Sequence, residues 1–187
     1  MPKPVSNDKS TELRTLQVDV ANPLFSKSAG INYLPVKHEG NTQSSEEEVF
    51  QIVESVNSLL GTPLARKDGS ISPVEISDML FVAPYNAQVS LLKAALGSDA
   101  RVGSVDKFQG QEAPIVFMSM CSSDASDSPR GIGFLFDRNR LNVAVSRAET
   151  LFVLVGHPGL AVTPVSKLKD LARVNFVSAI LLEGRSD

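Results

Sequence analysis

The sequence predicts a three-layer α/β domain with a mainly parallel central sheet and helices on both faces, and three observations carry that reading. Short continuous apolar runs, Met79 to Ala83, Ile115 to Cys121 and Leu151 to Val155, are each bounded by polar or turn residues, as strands buried on both faces are. Between them lie segments whose apolar residues recur at three- and four-residue steps, the spacing of one helix face. The two kinds of segment alternate along most of the chain, and strands joined by crossover helices lie parallel with helices covering the sheet.

Residues 1–29 are mixed and punctuated by Pro2, Pro4 and Pro23, with an alternation at Leu16, Val18 and Val20 that predicts a short edge strand. This region reads as an N-terminal extension or the cut end of a longer protein, and the domain itself is expected over residues 30–187. The run Ile31 to His38 predicts a strand, which Pro35 assigns to an edge or a strand end. After the turn Gly40-Asn41-Thr42, Ser44 and Ser45 stand ahead of Glu46, Glu47 and Glu48 and form two overlapping capping boxes. Val49, Ile52, Val53, Val56, Leu59 and Leu60 then share one face of a helix ending near Gly61. The three glutamates read as a solvated helix start that complements the dipole.

Residues 61–77 read as loop. The strand Met79 to Ala83 stops at Pro84-Tyr85-Asn86, where Asn86 is expected to cap a helix with Val89, Leu92, Ala95 and Leu96 inward and Gly97 at its end. Arg101 to Ser104 predicts a very short strand, Asp106 to Gln109 a tight helical turn, and Ser122 to Gly133 a long functional loop. Asp137 or Asn139 starts a helix with Leu141, Ala144, Val145 and Ala148 inward. Gly156-His157-Pro158-Gly159 closes the last strand, and a final helix from about Ser166 to Leu182 packs through Leu168, Leu171 and Ala172.

With 187 residues and 42% hydrophobic content, the chain has the size of one globular domain with a real core. A formal net charge of -3 gives no overall attraction to a polyanion, so a nucleic-acid partner needs a local basic patch. The single cysteine, Cys121, sits in an apolar run and reads as a buried, inert thiol. No signal segment and no membrane span is apparent, so a soluble, reducing, cytoplasmic setting without a membrane partner is expected.

In open parallel sheets, ligands collect beyond the carboxyl ends of the strands. Here those ends are Pro84-Tyr85-Asn86, Ser104 to Glu112, Cys121 with its loop, and Gly156-His157. Ser104 can offer its hydroxyl and its amide to a phosphate, Gly110 admits a close backbone approach, and Glu112 suits a sugar hydroxyl. The alternative is a capped turn with a solvent-facing acid. Arg138, Arg140 and Arg147 surround an apolar stripe. They either neutralise charge on a phosphoryl group across an interface or form ordinary ion pairs with Asp137 and Glu149.

Several expected parts of a nucleotide hydrolase are missing. There is no G-x-x-x-x-G-K-S/T loop, no strand ending in paired acids for magnesium, and no zinc-spaced cysteine and histidine set. The GIG of Gly131 to Gly133 reads as loop, and His38 and His157 as strand-end and turn residues.

SVDKFQGQE followed by an apolar strand, then GIGFL, RLNVAVSRA and LFVLVGHP, resemble motifs V and VI of superfamily 1 helicases. The likeness is to the 5′-to-3′ branch that includes nonsense-mediated-decay RNA helicases and replication helicase-nucleases. APYNAQVSLLKAAL resembles motif IV of that group, and VKHEGNTQSSEEEV the entry to its second RecA-like domain. The resemblance covers about residues 30–160 in the right order. It implies the second of two RecA-like domains, with ATP held between them and its Mg2+ ligands on the first domain of the same polypeptide. It further implies that Arg147 reaches the γ-phosphate, that Gly110 and Glu112 face the γ-phosphate and ribose, and that Gln109 and Arg140 belong to the nucleotide site. Ser104 would touch the backbone of single-stranded DNA or RNA, with Pro84, Tyr85 and Asn86 of motif IV beside it. The family's tyrosine and arginine base-stacking motif is not found in residues 1–30, so adenine stacking is unassigned. Two other classes compete with this reading: a non-catalytic RecA-like binding or scaffold module, and a fused nuclease fragment.

Overall fold

In the computed structural model, the described residues are 24–184 except Ser26, Gln109 and Ser166. The strand expected around Leu16, Val18 and Val20 and the Gln109 site therefore lie outside the described residues. The strands are β1 Gly30–Pro35, β2 Pro63–Ala65, β3 Ile71–Pro73, β4 Met79–Val82, β5 Arg101–Gly103, β6 Ala113–Ser119 and β7 Ala148–Gly156. The helices are α1 Glu46–Leu59, α2 Asn86–Leu96, α3 Ile132–Leu135, α4 Arg138–Ser146 and α5 Leu168–Glu183. Single 3-10 turns occupy Ile76–Asp78, Val105–Phe108 and Pro158–Val162.

Five strands form one sheet in the order β1-β7-β6-β4-β5, and every pairing in it is parallel. Apolar residues of consecutive positions face opposite layers, which is why the strand sequences are continuous rather than alternating. Met79, Phe81, Ile115, Phe117, Leu151 and Val153 pack with Ile52, Val56 and Leu59 of α1 and Leu92 of α2. Leu80, Val82, Val116, Phe152 and Leu154 pack on the other face with Leu141 and Ala144 of α4 and Val174, Val177 and Ile180 of α5. Register Phe81↔Phe117 stacks those two rings with centroids 5.4 Å apart. The β1 edge is partly closed by the end of α5, where the Tyr33 amide donates to the Gly184 carbonyl at 2.8 Å.

The structure changes several local expectations. Residues 61–77 contain an antiparallel hairpin, β2 with β3, rather than plain loop. Its tip turns at Gly69, φ +83°, with Asp68 Oδ1 accepting from the Ser70 amide at 2.9 Å. Arg66 fixes the hairpin to the body: its Nη1 and Nη2 fork onto Asp78 and its Nε donates to Ser72 Oγ at 2.7 Å. The cap of α2 is Tyr85 without a side-chain bond, and Asn86 is already helical. On the same helix Ala95 is exposed and Gln88 is buried. In α5 the packed stripe is Val174, Val177, Ile180 and Leu181, while Leu168, Leu171 and Ala172 are exposed. Asp137, not Asn139, caps α4, its Oδ1 accepting from the Arg140 amide at 2.9 Å. Gly131, φ +74°, opens the short helix α3, so the GIG segment is a helix start rather than loop alone.

Parallel topology has a consequence for the motifs. Each strand ends at one edge of the sheet, and the chain must return to the other edge before the next begins. After β5 the return is made by the turn Val105–Phe108 and Gly110, so Ser104 lies at the carboxyl edge and Glu112 at the amino edge, directly ahead of β6. Gly103 permits the sharp reversal: a Cβ there would sit 2.5 Å from Lys107 Cδ. Helix α4 makes the same journey, carrying Arg140 near its start and Arg147 at its end, roughly 10 Å apart at 1.5 Å rise per residue.

Candidate functional site

At the carboxyl edge, Pro84 and Asn86 follow β4 and Ser104 follows β5. Together with Asp106, Arg130, Phe134 and Arg140 they line a cavity of about 160 Å³. A second hollow of about 190 Å³ shares Pro84, Asn86 and Arg130 and adds Gln43, so the two form a continuous groove. Tyr85 is buried rather than presented to solvent: its hydroxyl pairs with Ser128 Oγ and its ring lies 5.3 Å from the Phe134 ring. Arg140, expected at the nucleotide, lines this cavity together with Ser104 and stands near the start of α4, while Arg147 stands at its end. Arg130 and Phe134 were not singled out, although the Arg-Gly-Ile-Gly-Phe spacing holds them at the mouth of the long loop.

At the amino edge, the Ala113 amide donates to the Arg147 carbonyl at 3.0 Å, and Ala113 pairs with Ala148 across β6 and β7. This contact brings the Gly110 to Glu112 segment beside Arg147. Gly110 has φ +79°, which favours glycine, and nothing stands within 4 Å of the position a Cβ would take. Glu112 is half exposed and lies 3.6 Å from Lys67 Nζ, which also pairs with Glu149. Lys67 was missed because the hairpin carrying it was read as loop.

The arginine cluster does not make the ordinary ion pairs that one of its two readings expected. Among the described residues, Arg130, Arg138, Arg140 and Arg147 form no ion pair: Glu149 is taken by Lys67, and Asp137 is used as the α4 cap. The expected ordinary pairs with Asp137 and Glu149 are therefore not made. Arg147 Nε reaches only the Val143 carbonyl, at 3.4 Å, and the side chain is half-buried at the end of a packed helix. Such a guanidinium keeps its charge available.

A buried polar cluster supports the carboxyl edge from beneath. Glu48 is not solvated as the acidic run suggested but fully buried. Its Oε1 meets His38 Nε2 at 2.9 Å, and its Oε2 accepts from Ser119 Oγ at 2.6 Å and from the Cys121 amide at 2.9 Å. Ser45 remains the α1 cap, accepting from the Glu48 amide at 3.1 Å, but the reciprocal half of the box is replaced: Gln88 Oε1 accepts from the Ser45 amide at 2.7 Å. His38 Nδ1 lies 2.7 Å from Ser123 Oγ, so His38 ties the long loop to the sheet rather than merely ending a strand. Cys121 adopts φ +50°, the orientation in which its amide faces Glu48. Burial, and then the Glu48 charge, push the Cys121 thiol far above its ordinary pKa, which makes it inert. His157 caps a 3-10 turn, its Nδ1 accepting from the Gly159 amide at 3.0 Å. Burial first, then the neighbouring His38, hold its pKa below the ordinary value.

No group of three or more His, Cys, Asp or Glu able to hold a metal ion occurs among the described residues, and none of their helices is long and apolar enough to cross a membrane.

The AAA domain family profile matches residues 5–159. The chain belongs to this family. It is similar to an uncharacterized ATP-dependent helicase of Caenorhabditis elegans, 34% identical over 143 residues, 76% of this chain and 8% of that protein. It is also similar to the DNA polymerase alpha-associated DNA helicase A of Schizosaccharomyces pombe, 38% identical over 86 residues, 44% of this chain and 13% of that protein. The human RNA helicase Mov10l1 is 35% identical over 98 residues, 49% of this chain and 8% of that protein. With the parallel sheet, these matches make the chain a superfamily 1 helicase C-terminal domain of RecA-like architecture. The helicase domain spans at most 13% of the length of these three relatives.

Proposed function

We propose that this helicase domain is one half of an ATP-driven motor, with ATP at its amino edge and single-stranded nucleic acid at its carboxyl edge. The observation that carries the reading is the unpaired, half-buried Arg147 beside Gly110 and Glu112. Arg147 would stabilise charge on the transferring γ-phosphoryl group, Gly110 would let the backbone approach it, and Glu112 would accept from the ribose. In this reading, phosphate-loop contacts and the Mg2+ ligands would belong to a first RecA-like domain. Mg2+ would supply charge neutralisation at the β- and γ-phosphates. Closing the two domains on ATP and releasing them after hydrolysis would shift the strand across Ser104, Asn86 and Pro84, with little sequence preference.

A non-catalytic scaffold with the same fold is the competing function. It has no use for a half-buried guanidinium left without a carboxylate. The deciding experiment is nucleic-acid-stimulated ATP hydrolysis by the helicase that contains this domain, wild type against Arg147→Ala. A loss of about 10³-fold or more is expected for an arginine finger, and unchanged turnover would refute the assignment. The isolated domain is expected to hydrolyse no ATP.

A further inference from the structure

The carboxyl-edge groove holds an arrangement that the motor reading does not use. Two guanidiniums contact the Phe134 ring: Arg130 Cζ is 4.7 Å from its centroid and Arg140 Cζ is 4.2 Å. Cation-aromatic contacts of this kind hold a guanidinium flat while leaving its N–H edge free to donate. Neither arginine has an ion-pair partner among the described residues, and both line the same cavity as Ser104 and Asn86. The only carboxylate lining that cavity is Asp106, which is exposed. One negative charge therefore faces two positive ones, and the cavity keeps a net positive charge in a chain whose total is -3.

Two guanidiniums beside the Ser104 hydroxyl form a donor set that suits phosphate oxygens. Tyr85 also packs against Phe134, with ring centroids 5.3 Å apart, and is itself tied to Ser128 of the long loop, so the ring cannot swing away without breaking that contact. Arg130 comes from the loop and Arg140 from α4, so the loop and the helix grip the site from two directions.

We propose that Arg130, Phe134 and Arg140 form a clamp that takes one phosphodiester of a single strand, DNA or RNA, above Ser104. In this assignment Arg140 serves the strand rather than ATP. Both arginines donate to phosphate oxygens, and Phe134 is a positioning residue that both guanidiniums pack against. The proposal rests on the motor reading for its ligand, but it can fail separately.

The test is strand binding by the helicase that contains this domain, followed by fluorescence anisotropy with labelled oligothymidylate and oligouridylate over a series of salt concentrations. Each phosphate contact contributes about 0.7 to the slope of log affinity against log salt for single strands. Arg130→Ala and Arg140→Ala should each lower the slope by about that amount and weaken binding about tenfold, with the KM for ATP unchanged. Arg130→Lys and Arg140→Lys should restore most of the slope, which separates lost charge from misfolding. Phe134→Leu should weaken binding but leave the slope close to wild type. Equal effects on the two oligonucleotides assign the contact to the phosphate, and an effect confined to oligouridylate would contradict it in favour of a 2′-hydroxyl contact. Wild-type binding with an unchanged slope in both alanine variants would overturn the clamp alone. A rise in the KM for ATP in Arg140→Ala would return Arg140 to the nucleotide. No strand binding by the wild type would overturn the clamp and the motor reading together.

Discussion

The two edges of the sheet are built on different principles. The carboxyl edge is supported by a buried polar cluster in which Glu48, His38, Ser119, Gln88 and Ser45 satisfy one another, and none of the buried side-chain polar atoms described is left without a partner. The amino edge has no such foundation: Glu112 and Lys67 are half exposed, and Arg147 is fixed only by its helix and one backbone carbonyl. A rigid edge suits a track on which every strand phosphate meets the same geometry. An edge with a free charge and half-exposed side chains suits a site that is completed only when another surface closes on it. Both belong to one stretch of sequence because parallel topology carries residues 101–149 from one edge to the other and back.

The largest expected effect tests the amino edge. Arg147→Lys keeps the charge but loses the planar fork, and it should lower ATP turnover by about 10³-fold, close to the alanine variant. Lysine restoring most of the activity would reduce Arg147 to a general positive charge.

Next comes the foundation of the carboxyl edge. Glu48→Ala leaves His38, Ser119 and the Cys121 amide without their acceptor inside the protein. It should cost about 3 kcal/mol in chemical denaturation. A loss near zero would mean that the cluster is not holding the edge. Glu112→Gln should raise the KM for ATP about fivefold, equivalent to about 1 kcal/mol, and reduce the preference for ATP over 2′-deoxy-ATP. Equal effects on both nucleotides would move Glu112 away from the ribose.

The architecture was legible in the residues. The continuous apolar runs gave β4, β6 and β7, and Ser45 and Asp137 gave the starts of α1 and α4. What escaped was long-range. Glu48 looks like any acid in a first helical turn, and its burial depends on Ser119 and Cys121, more than 70 residues away in sequence. The hairpin at residues 61–77 has strands too short to show a period, although Asp68-Gly69 is its turn signal. For α5, an apolar first turn concealed the true stripe at Val174, Val177 and Leu181. At the candidate site, the placing of Ser104 and Arg147 at opposite edges, and of Arg140 apart from Arg147, follows only from the direction in which α4 and the turn after β5 cross the sheet.

The smallest expected effect concerns acid. His157 has a folded pKa below its unfolded value of about 6.5. The stability it contributes is therefore present above that pH and is lost as pH falls through the lower folded value, when Nδ1 can no longer accept from Gly159. Thermal denaturation followed below pH about 6.5 should show less acid destabilisation in His157→Gln than in wild type, and parallel curves would exclude this role.

The claim that the two edges hold different ligands is tested most directly by the affinity of nucleotide-free Arg147→Ala helicase for a single strand. Division of labour predicts wild-type affinity, with ATP hydrolysis alone abolished. Weakening of strand binding comparable to that caused by Ser104→Ala would contradict it and make Arg140 and Arg147 parts of one site.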